Sequence, residues 1–149
     1  TLLAGEGDDA LFGEGGDDVL DGQGGDDRLN GGPGNDLVEG NIGNDALRGG
    51  AGFDTLFGGA GNDTLTGDFN ADTFVFADGF GTDLITDFAA TNLFERIDLS
   101  AVSVIDSWAD LSANHIMQDG ADIRITAGPD TLTLAGVAFA DLDPGDFVF

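Results

Sequence analysis

The sequence has no cysteine, no lysine and no tyrosine, and only one histidine and one tryptophan in its 149 residues. Disulfide bonds and thiolate metal sites are therefore excluded. Its 4 basic residues, all arginine, stand against 29 acidic ones, so the formal net charge is −25. Because phosphate recognition needs basic patches, nucleic acid and anionic membrane surfaces are disfavoured as partners. No apolar run approaches the length of a membrane span.

A nine-residue repeat is the main feature of the first half of the chain. Eight consecutive copies run from AGEGDDALF (Ala4–Phe12) to the degenerate copy GDFNADTFV (Gly67–Val75). The sixth position is always aspartate, at Asp9, Asp18, Asp27, Asp36, Asp45, Asp54, Asp63 and Asp72. The eighth is always apolar, at Leu11, Leu20, Leu29, Val38, Leu47, Leu56, Leu65 and Phe74. A fixed period of this kind indicates a repeat architecture and argues against a disordered Gly/Asp-rich linker, the first alternative.

Each copy predicts a three-residue strand centred on the eighth position, followed by a six-residue turn. Two copies complete one coil, so copies i and i+2 stack in parallel and the eighth side chains form a thin core. Each buried leucine contributes roughly 1.5–3 kcal/mol, whereas ordering each residue costs about 1–2 kcal/mol in backbone entropy. The turns must therefore supply additional stabilisation.

Stacked turns bring two aspartates and several backbone carbonyls to the same gap. This all-oxygen, flexible donor set suits calcium, whereas magnesium demands a tighter octahedron. Zinc and copper prefer nitrogen or sulfur ligands. Without an ion the paired carboxylates repel each other, so we expect calcium to be a folding cofactor. A roll that binds no metal is the second alternative.

These segments resemble the glycine-rich nonapeptide repeat of the RTX (repeats-in-toxin) family, G-G-x-G-x-D-x-U-x, from Thr1 to about Thr86. The resemblance implies an all-β fold, a right-handed parallel β-roll in which the first six residues of each copy bind calcium. One copy would give its aspartate and the carbonyls of positions two and four, and the copy stacked on it its aspartate and the carbonyls of positions one and three. One site would thus join Gly5, Gly7 and Asp9 to Gly22, Gly24 and Asp27. Glu14, Gln23 and Asn41 replace glycine at position two, which leaves their carbonyls available.

The carbonyl donors that the resemblance implies across the array are Gly5, Gly7, Gly16, Gly22, Gly24, Gly25, Gly31, Gly32, Pro33, Gly34, Gly40, Ile42, Gly43, Gly49, Gly50, Ala51, Gly52, Gly58, Gly59, Ala60, Gly61, Gly67 and Phe69.

A hidden ninth copy follows if Phe76 and Ala77 lengthen the preceding strand. The segment Asp78–Thr86 then reads DGFGTDLIT, with Asp83 at position six. Asp83 would stack on Asp63 and complete a seventh site, so we expect about six to seven calcium ions. The alternative is a two-residue bulge that leads into an ordinary loop.

The remaining residues resemble the C-terminal cap of RTX proteins such as serralysin-type proteases and alginate epimerases. The matching stretches are DTFVF (Asp72–Phe76), DLITDF (Asp83–Phe88), RIDLS (Arg96–Ser100) and LDPGDFVF (Leu142–Phe149). We therefore divide the chain into a roll over residues 1–86 and a small β-rich cap over residues 87–149.

Within the cap, DIRIT (Asp122–Thr126) and TLTL (Thr131–Leu134) alternate at period two and flank a turn. Ser107 is expected to cap a short helix. Structural roles are expected for His115 and Trp108. No catalytic constellation is apparent, so the chain is not predicted to be an enzyme.

The predicted function is a calcium-binding module of a secreted bacterial protein, which folds on calcium outside the cell and supports type I secretion. The last residues, Asp146–Phe149, resemble the acidic and apolar ending of RTX secretion signals. One alternative is a polysaccharide-binding or adhesive module, for which Phe12 and Phe57 are the only hints in the repeats. Another is the C-terminal tail of a secreted protease, lipase or epimerase.

The first residues continue the repeat pattern, because Thr1–Leu3 occupy positions seven to nine of an earlier copy. We therefore expect a longer protein, in which a catalytic domain is a possible upstream partner. The uncovered N-terminal coil also predicts end-to-end self-association that depends on calcium.

Overall fold

The chain alternates between two sheets, copy by copy. The computed structural model describes residues 1–91 and 94–149. The first sheet contains, in spatial order, β1 (Leu2–Glu6), β3 (Val19–Gly24), β5 (Leu37–Ile42), β7 (Thr55–Ala60), β9 (Thr73–Ala77), β11 (Arg96–Ala101) and β15 (Phe147–Val148). The second contains β2 (Ala10–Phe12), β4 (Arg28–Pro33), β6 (Ala46–Ala51), β8 (Thr64–Phe69), β10 (Thr82–Ile85), β14 (Asp130–Leu134), β13 (Asp122–Ala127) and β12 (Ile116–Asp119). This topology is a parallel β-roll of about five turns.

The repeat period sets the strand register. Val38 pairs with Leu20 in the first sheet and Leu47 with Leu29 in the second, so paired residues are eighteen apart in the sequence. All eighth-position side chains from Leu11 to Phe74 are buried in one continuous core. The predicted stacking of copies i and i+2 is therefore confirmed.

The strands are longer than the three residues predicted. From β3 to β8 each covers six residues, from position seven of one copy to position three of the next. Positions one to three carry no apolar pattern, yet their main chains pair with the copy two repeats away, as Gly32 does with Gly50. The prediction of a six-residue turn was wrong, because main-chain pairing requires no particular side chain.

The ninth copy has the predicted position. β9 extends through Ala77, and β10 pairs with β8 so that Ile85 lies beside Leu65. The amide of Asp63 donates a hydrogen bond to Asp83 Oδ1 at 2.9 Å, although the two residues are twenty apart. The two-residue insertion is therefore taken up by the strand and the stacking continues.

The C-terminal part extends both sheets. β13 and β14 form the predicted antiparallel hairpin, and β14 pairs in parallel with β10. β11 and β15 continue the first sheet beyond β9. A short helix, α1 (Trp108–Asp110), has Ser107 as its N-cap and leads into a π-helical turn at Leu111–His115. Within the described residues no helix is long and apolar enough to cross a membrane.

Candidate metal centres

The repeat aspartates form two columns. The odd column contains Asp9, Asp27, Asp45, Asp63 and Asp83, and the even column contains Asp18, Asp36, Asp54 and Asp72. Within each column, Oδ1 of an aspartate accepts a hydrogen bond from the main-chain amide of the aspartate before it. The distance is 2.7 Å from the Asp9 amide to Asp27 and 2.9 Å from the Asp54 amide to Asp72. The nine predicted aspartates thus lie in two continuous rows.

The second carboxylate oxygen has no partner in most of these residues. Oδ2 is buried and without a hydrogen bond in Asp27, Asp36, Asp45, Asp54, Asp63 and Asp83. These side chains are at most 3% exposed. Leaving a buried acceptor unsatisfied costs about 1–3 kcal/mol, and more if the group is charged. Six such atoms, four in the odd column and two in the even column, are therefore acceptors that a bound cation would satisfy.

No basic side chain supplies that partner. In the part of the chain that the structure describes, the side-chain ion pairs join Arg48 to Asp68, His115 to Asp110 and Arg124 to Asp119. Asp68, Asp110 and Asp119 all lie outside the two columns. The amino terminus lies 3.9 Å from Asp18, a column member that is only partly buried. The buried column carboxylates have no such partner.

The electrostatics of the columns favour a cation. Burial raises the pKa of Asp63 to about 6, of Asp72 to about 7 and of Asp83 to about 8. The hydrogen bond that each carboxylate accepts from a main-chain amide of its column opposes this rise. The negative charge of the neighbouring column aspartate adds to it. The pKa values of Asp45 and Asp54 are raised for the same reasons. A divalent cation would remove both the burial penalty and the mutual repulsion.

The first position of each repeat explains how closely oxygens converge here. A Cβ atom on Gly22 would lie 2.5 Å from Asp27 Oδ2 and 2.8 Å from the carbonyl oxygen of Gly40, the first residue of the next copy in the odd column. The aspartate of the same copy crowds Gly31, Gly40, Gly49, Gly58 and Gly67 in the same way, and at Gly40 the carbonyl oxygen of Gly58 would also lie 2.6 Å from the added Cβ atom. Glycine is required at these positions because the carboxylate of the same copy, joined at Gly22 and Gly40 by a carbonyl, occupies the space that a side chain would fill.

The second position requires a left-handed backbone in every copy. Four non-glycine residues adopt it as well, namely Glu14 at φ 68°, Gln23 at φ 70°, Asn41 at φ 74° and Asp68 at φ 72°. These four departures from glycine, including Asp68 in the degenerate copy, thus leave the turn geometry intact. This conformation costs a non-glycine residue about 1–2 kcal/mol, which the rest of the turn must offset.

The third-position carbonyls already accept one hydrogen bond each. Gly7 donates to Gly24 at 2.6 Å, and Gly25 donates to Ile42 at 3.0 Å. The same bond reaches Pro33, Ala51, Ala60 and Phe69. A carbonyl oxygen has two lone pairs, so each retains one for a metal ion.

The donor set fits calcium. The described residues contain no group of three or more His, Cys, Asp or Glu side chains arranged around a common ion. The predicted sites do not need one, because each combines two carboxylates with main-chain carbonyls. Hard oxygen ligands in flexible turns suit calcium better than magnesium or zinc.

Sequence reasoning missed Glu95. Arg96 pairs with Thr73, which places Glu95 beside Asp72 at the end of the even column. The pKa of Glu95 is raised to about 7, first by burial and also by the charges of Asp72, Asp87 and Asp146, although a hydrogen bond from the Ala89 amide opposes the rise. Glu95 follows Asp83 by twelve residues, so a search at period nine does not reach it. The available signal was Glu95-Arg96-Ile97, an acid two residues before a core side chain, as in the repeats.

The single histidine and tryptophan have structural environments. His115 Nδ1 lies 2.8 Å from the carbonyl oxygen of Thr126, and Nε2 lies 3.2 Å from Asp110. The Trp108 ring packs against Phe147 at a centroid distance of 5.6 Å. Both contacts hold α1 and its π-helical turn against neighbouring strands.

Comparison with known proteins agrees with the repeat geometry. Residues 3–38 and 39–74 each match the model of the RTX calcium-binding nonapeptide repeat (4 copies). The chain is similar to the extracellular lipase LipA from Serratia marcescens, at 18% identity and a TM-score of 0.54, over 96% of this chain and 38% of the lipase. It is also similar to the AlgE6R2 subunit of the Mannuronan C5-epimerase from Azotobacter vinelandii, at 24% identity and a TM-score of 0.49, over 94% of this chain and 91% of that subunit. A search of curated proteins finds no match.

The repeat array of this chain belongs to the RTX calcium-binding nonapeptide-repeat family. The array is a calcium-binding repeat module, and no catalytic site is evident among the described residues. The likeness to the lipase concerns the fold alone, and the chain spans 38% of the lipase's length.

Proposed function

We propose that this chain folds on calcium outside a bacterial cell, as a module of a secreted protein. The observation that carries the proposal is the set of six buried carboxylate oxygens that have neither a hydrogen bond nor a basic partner. Bound calcium would supply the positively charged partner that these oxygens lack. Calcium sites of extracellular modules bind at about 10⁻⁴–10⁻³ M, so they stay empty at cytosolic calcium concentrations. The chain would then remain unfolded until export.

We assign seven sites to the repeat array, one to each pair of stacked aspartates that starts at Asp9, Asp18, Asp27, Asp36, Asp45, Asp54 and Asp63. Each site takes its remaining ligands from the carbonyls of the two turns that carry the pair. The roll is proposed to cover residues 1–86 and the cap residues 87–149. In this division the cap covers the last coil of the roll, as repeat arrays require.

Limited trypsin digestion tests the proposal with the chain's own cleavage sites. Arg28 and Arg48 lie on strands of the roll, in β4 and β6. We expect both bonds to resist cleavage in millimolar calcium and to be cut rapidly in chelator or in magnesium alone. Protection at Arg28 and Arg48 in excess chelator would contradict the proposal, because it would show a roll that folds without calcium.

Export by a type I system is the second part of the proposal, and it rests on the family resemblance. β15 and the residue before it are packed in the folded chain, where Phe147 and Asp146 are buried. An exporter would therefore meet Asp146–Phe149 only in the unfolded, calcium-free chain. The test is secretion of a reporter fused to this chain from a host with a type I exporter. Removal of the last four residues should abolish secretion, and unchanged secretion would overturn this part.

The parent protein is proposed to be a secreted enzyme with its catalytic domain outside this chain. The support is the similarity to an extracellular lipase that is longer than this chain. Expression of the complete reading frame and assay for hydrolase and epimerase activities would test it. A full-length protein without any catalytic domain would contradict it.

A polysaccharide-binding role has less support. The most exposed aromatic side chains of the repeats are Phe12, Phe53 and Phe69. They occupy positions nine, five and three of their copies, so they do not align into a stripe along the roll. Glycan stacking platforms need such alignment, and the calcium proposal is therefore preferred.

A further inference from the structure

At the end of the odd column, the amide of the fourth-position glycine has a different kind of acceptor from that in the preceding turns. In each preceding turn of this column, the amide of the fourth-position glycine donates to the third-position carbonyl of the copy stacked on it, as Gly43 does to Ala60 at 3.0 Å. At the last turn the acceptor is a side chain. Gly81 donates to Asp130 Oδ1 at 3.2 Å, and Gly79 donates to Asp130 Oδ2 at 2.8 Å. A cap carboxylate thus stands where the repeats place a predicted calcium ligand.

The two oxygens of each column carboxylate face different neighbours. Oδ1 of Asp27 accepts the amide of Asp9, in the preceding copy. Oδ2 of Asp27 lies at the point where the Gly40 carbonyl of the following copy also arrives. Asp83 follows the same rule, because its Oδ1 accepts the amide of Asp63. Its Oδ2 is then directed at the following layer, which begins with Asp130.

Asp83 Oδ2 remains unexplained by the seven repeat sites. The seventh site lies between Asp63 and Asp83 and uses the Oδ1 side of Asp83. Oδ2 is buried and has no hydrogen-bond partner, in a side chain that is 2% exposed. Asp130 is also buried, and its charge contributes to raising the pKa of Asp83. A carboxylate has about four acceptor positions, and Asp130 uses only two of them for the amides of Gly79 and Gly81.

We propose that Asp83 and Asp130 hold an eighth calcium ion between the roll and the cap, with the carbonyls of Gly79 and Gly81 as further ligands. The inference rests on the proposed calcium binding of the repeat sites and extends it to a residue outside the repeats. Gly79 and Gly81 occupy positions two and four, from which the repeats donate their carbonyls. Asp130 would supply the carboxylate that the aspartate of a following copy supplies in the repeat sites. The ion joins β14 of the cap to the end of the odd column.

Calcium counting with Asp130→Asn tests the proposal. The asparagine keeps the size of the side chain and one oxygen acceptor but removes the charge. The matched control is Asp122→Asn, because Asp122 is another cap aspartate that accepts a main-chain amide, from Gly136 at 2.8 Å. Bound calcium is measured by equilibrium dialysis at the lowest calcium concentration that saturates the unmodified chain. We expect Asp130→Asn to bind one ion fewer and Asp122→Asn to bind the full number.

A full complement of ions in Asp130→Asn would overturn the eighth site and leave Asp130 as a cap for two amides. Asp83→Asn gives a second reading if Asp130→Asn does not fold. Asp83→Asn should lose two ions if Asp83 serves both Asp63 and Asp130, and a loss of only one would also overturn the proposal. An unmodified chain that binds no calcium would instead refute the proposed function itself.

Discussion

At the scale of the residue, the column aspartates act as bridges. Asp45 accepts the amide of Asp27 through Oδ1, and its own amide donates to Asp63 Oδ1 at 2.8 Å. Each inner aspartate therefore belongs to two stacked gaps. The carboxylate that serves one predicted ion also compensates the next, so the sites along a column are energetically coupled.

Asp45→Ala is therefore expected to remove more than one calcium ion. The two sites that share Asp45, one with Asp27 and one with Asp63, each lose one of their two carboxylates. The measurement is calcium stoichiometry by isothermal titration calorimetry. Asp26→Asn is the matched control, because Asp26 is an exposed fifth-position residue whose equivalent two copies later is Asn44. An unchanged stoichiometry and midpoint in Asp45→Ala would count against the stacked arrangement.

Gly22→Ala is expected to destabilise the calcium-bound roll by about 1–3 kcal/mol, as overpacking does. The added methyl group would collide with Asp27 Oδ2 and the Gly40 carbonyl. Gly15→Ala is the control, because the nearest atom to a Cβ there is the Pro33 carbonyl oxygen at 3.8 Å. Denaturant unfolding at saturating calcium compares the two. Equal stabilities would show that first-position glycine is not required by packing.

Calcium affinity is expected to fall as the pH is lowered from 8 to 6. The pKa of Asp72 is raised to about 7 and that of Asp83 to about 8, both by burial first, from a usual value of 3.8. Because the folded-state pKa values are raised, protonation of these two carboxyl groups stabilises the calcium-free fold. This stabilisation is complete below about pH 4 and is lost as the pH rises through about 7 and 8. Protons then compete with calcium, so a site with a carboxyl pKa of about 7 binds about tenfold more weakly at pH 6. A calcium midpoint that is the same at both pH values would refute this coupling.

At the scale of the element, the sequence predicted side-chain roles better than strand lengths. The eighth-position residues were identified because burial imposes a strict apolar period. The extra three residues of β3 to β8 were not, because main-chain pairing at positions one to three leaves no apolar signature. Asp83 was found by allowing a two-residue insertion in the period. Glu95 and Asp130 were not found, because their links to the columns arise from cap segments with no fixed period.

Each strand from β3 to β8 depends on the single large apolar side chain that it buries in the core. Leu56 is fully buried in β7 and pairs with Val38 and Phe74 on either side. Leu56→Ala is expected to cost about 2–5 kcal/mol in the calcium-bound state, as in other cores. Phe53→Ala is the control, because Phe53 is 65% exposed and should change stability by less than about 0.5 kcal/mol. Thermal unfolding in saturating calcium provides the comparison, and equal costs would contradict the assigned core.

At the scale of the whole molecule, the net charge of −25 opposes any compact state. The two buried aspartate columns concentrate that repulsion along the roll. The thin core alone does not offset both the repulsion and the entropy of ordering the turns. Calcium bound at the proposed sites would neutralise the columns where they are buried, and we expect that monovalent salt, which screens mainly exposed charges, does not replace it.

The most direct test is far-UV circular dichroism of the chain at neutral pH during separate titrations with calcium and magnesium. The predicted result is a disordered spectrum in chelator, a cooperative change to a β-sheet spectrum with calcium, and no such change with magnesium at the same concentrations. A β-sheet spectrum in excess chelator, or an equal response to magnesium, would contradict the account.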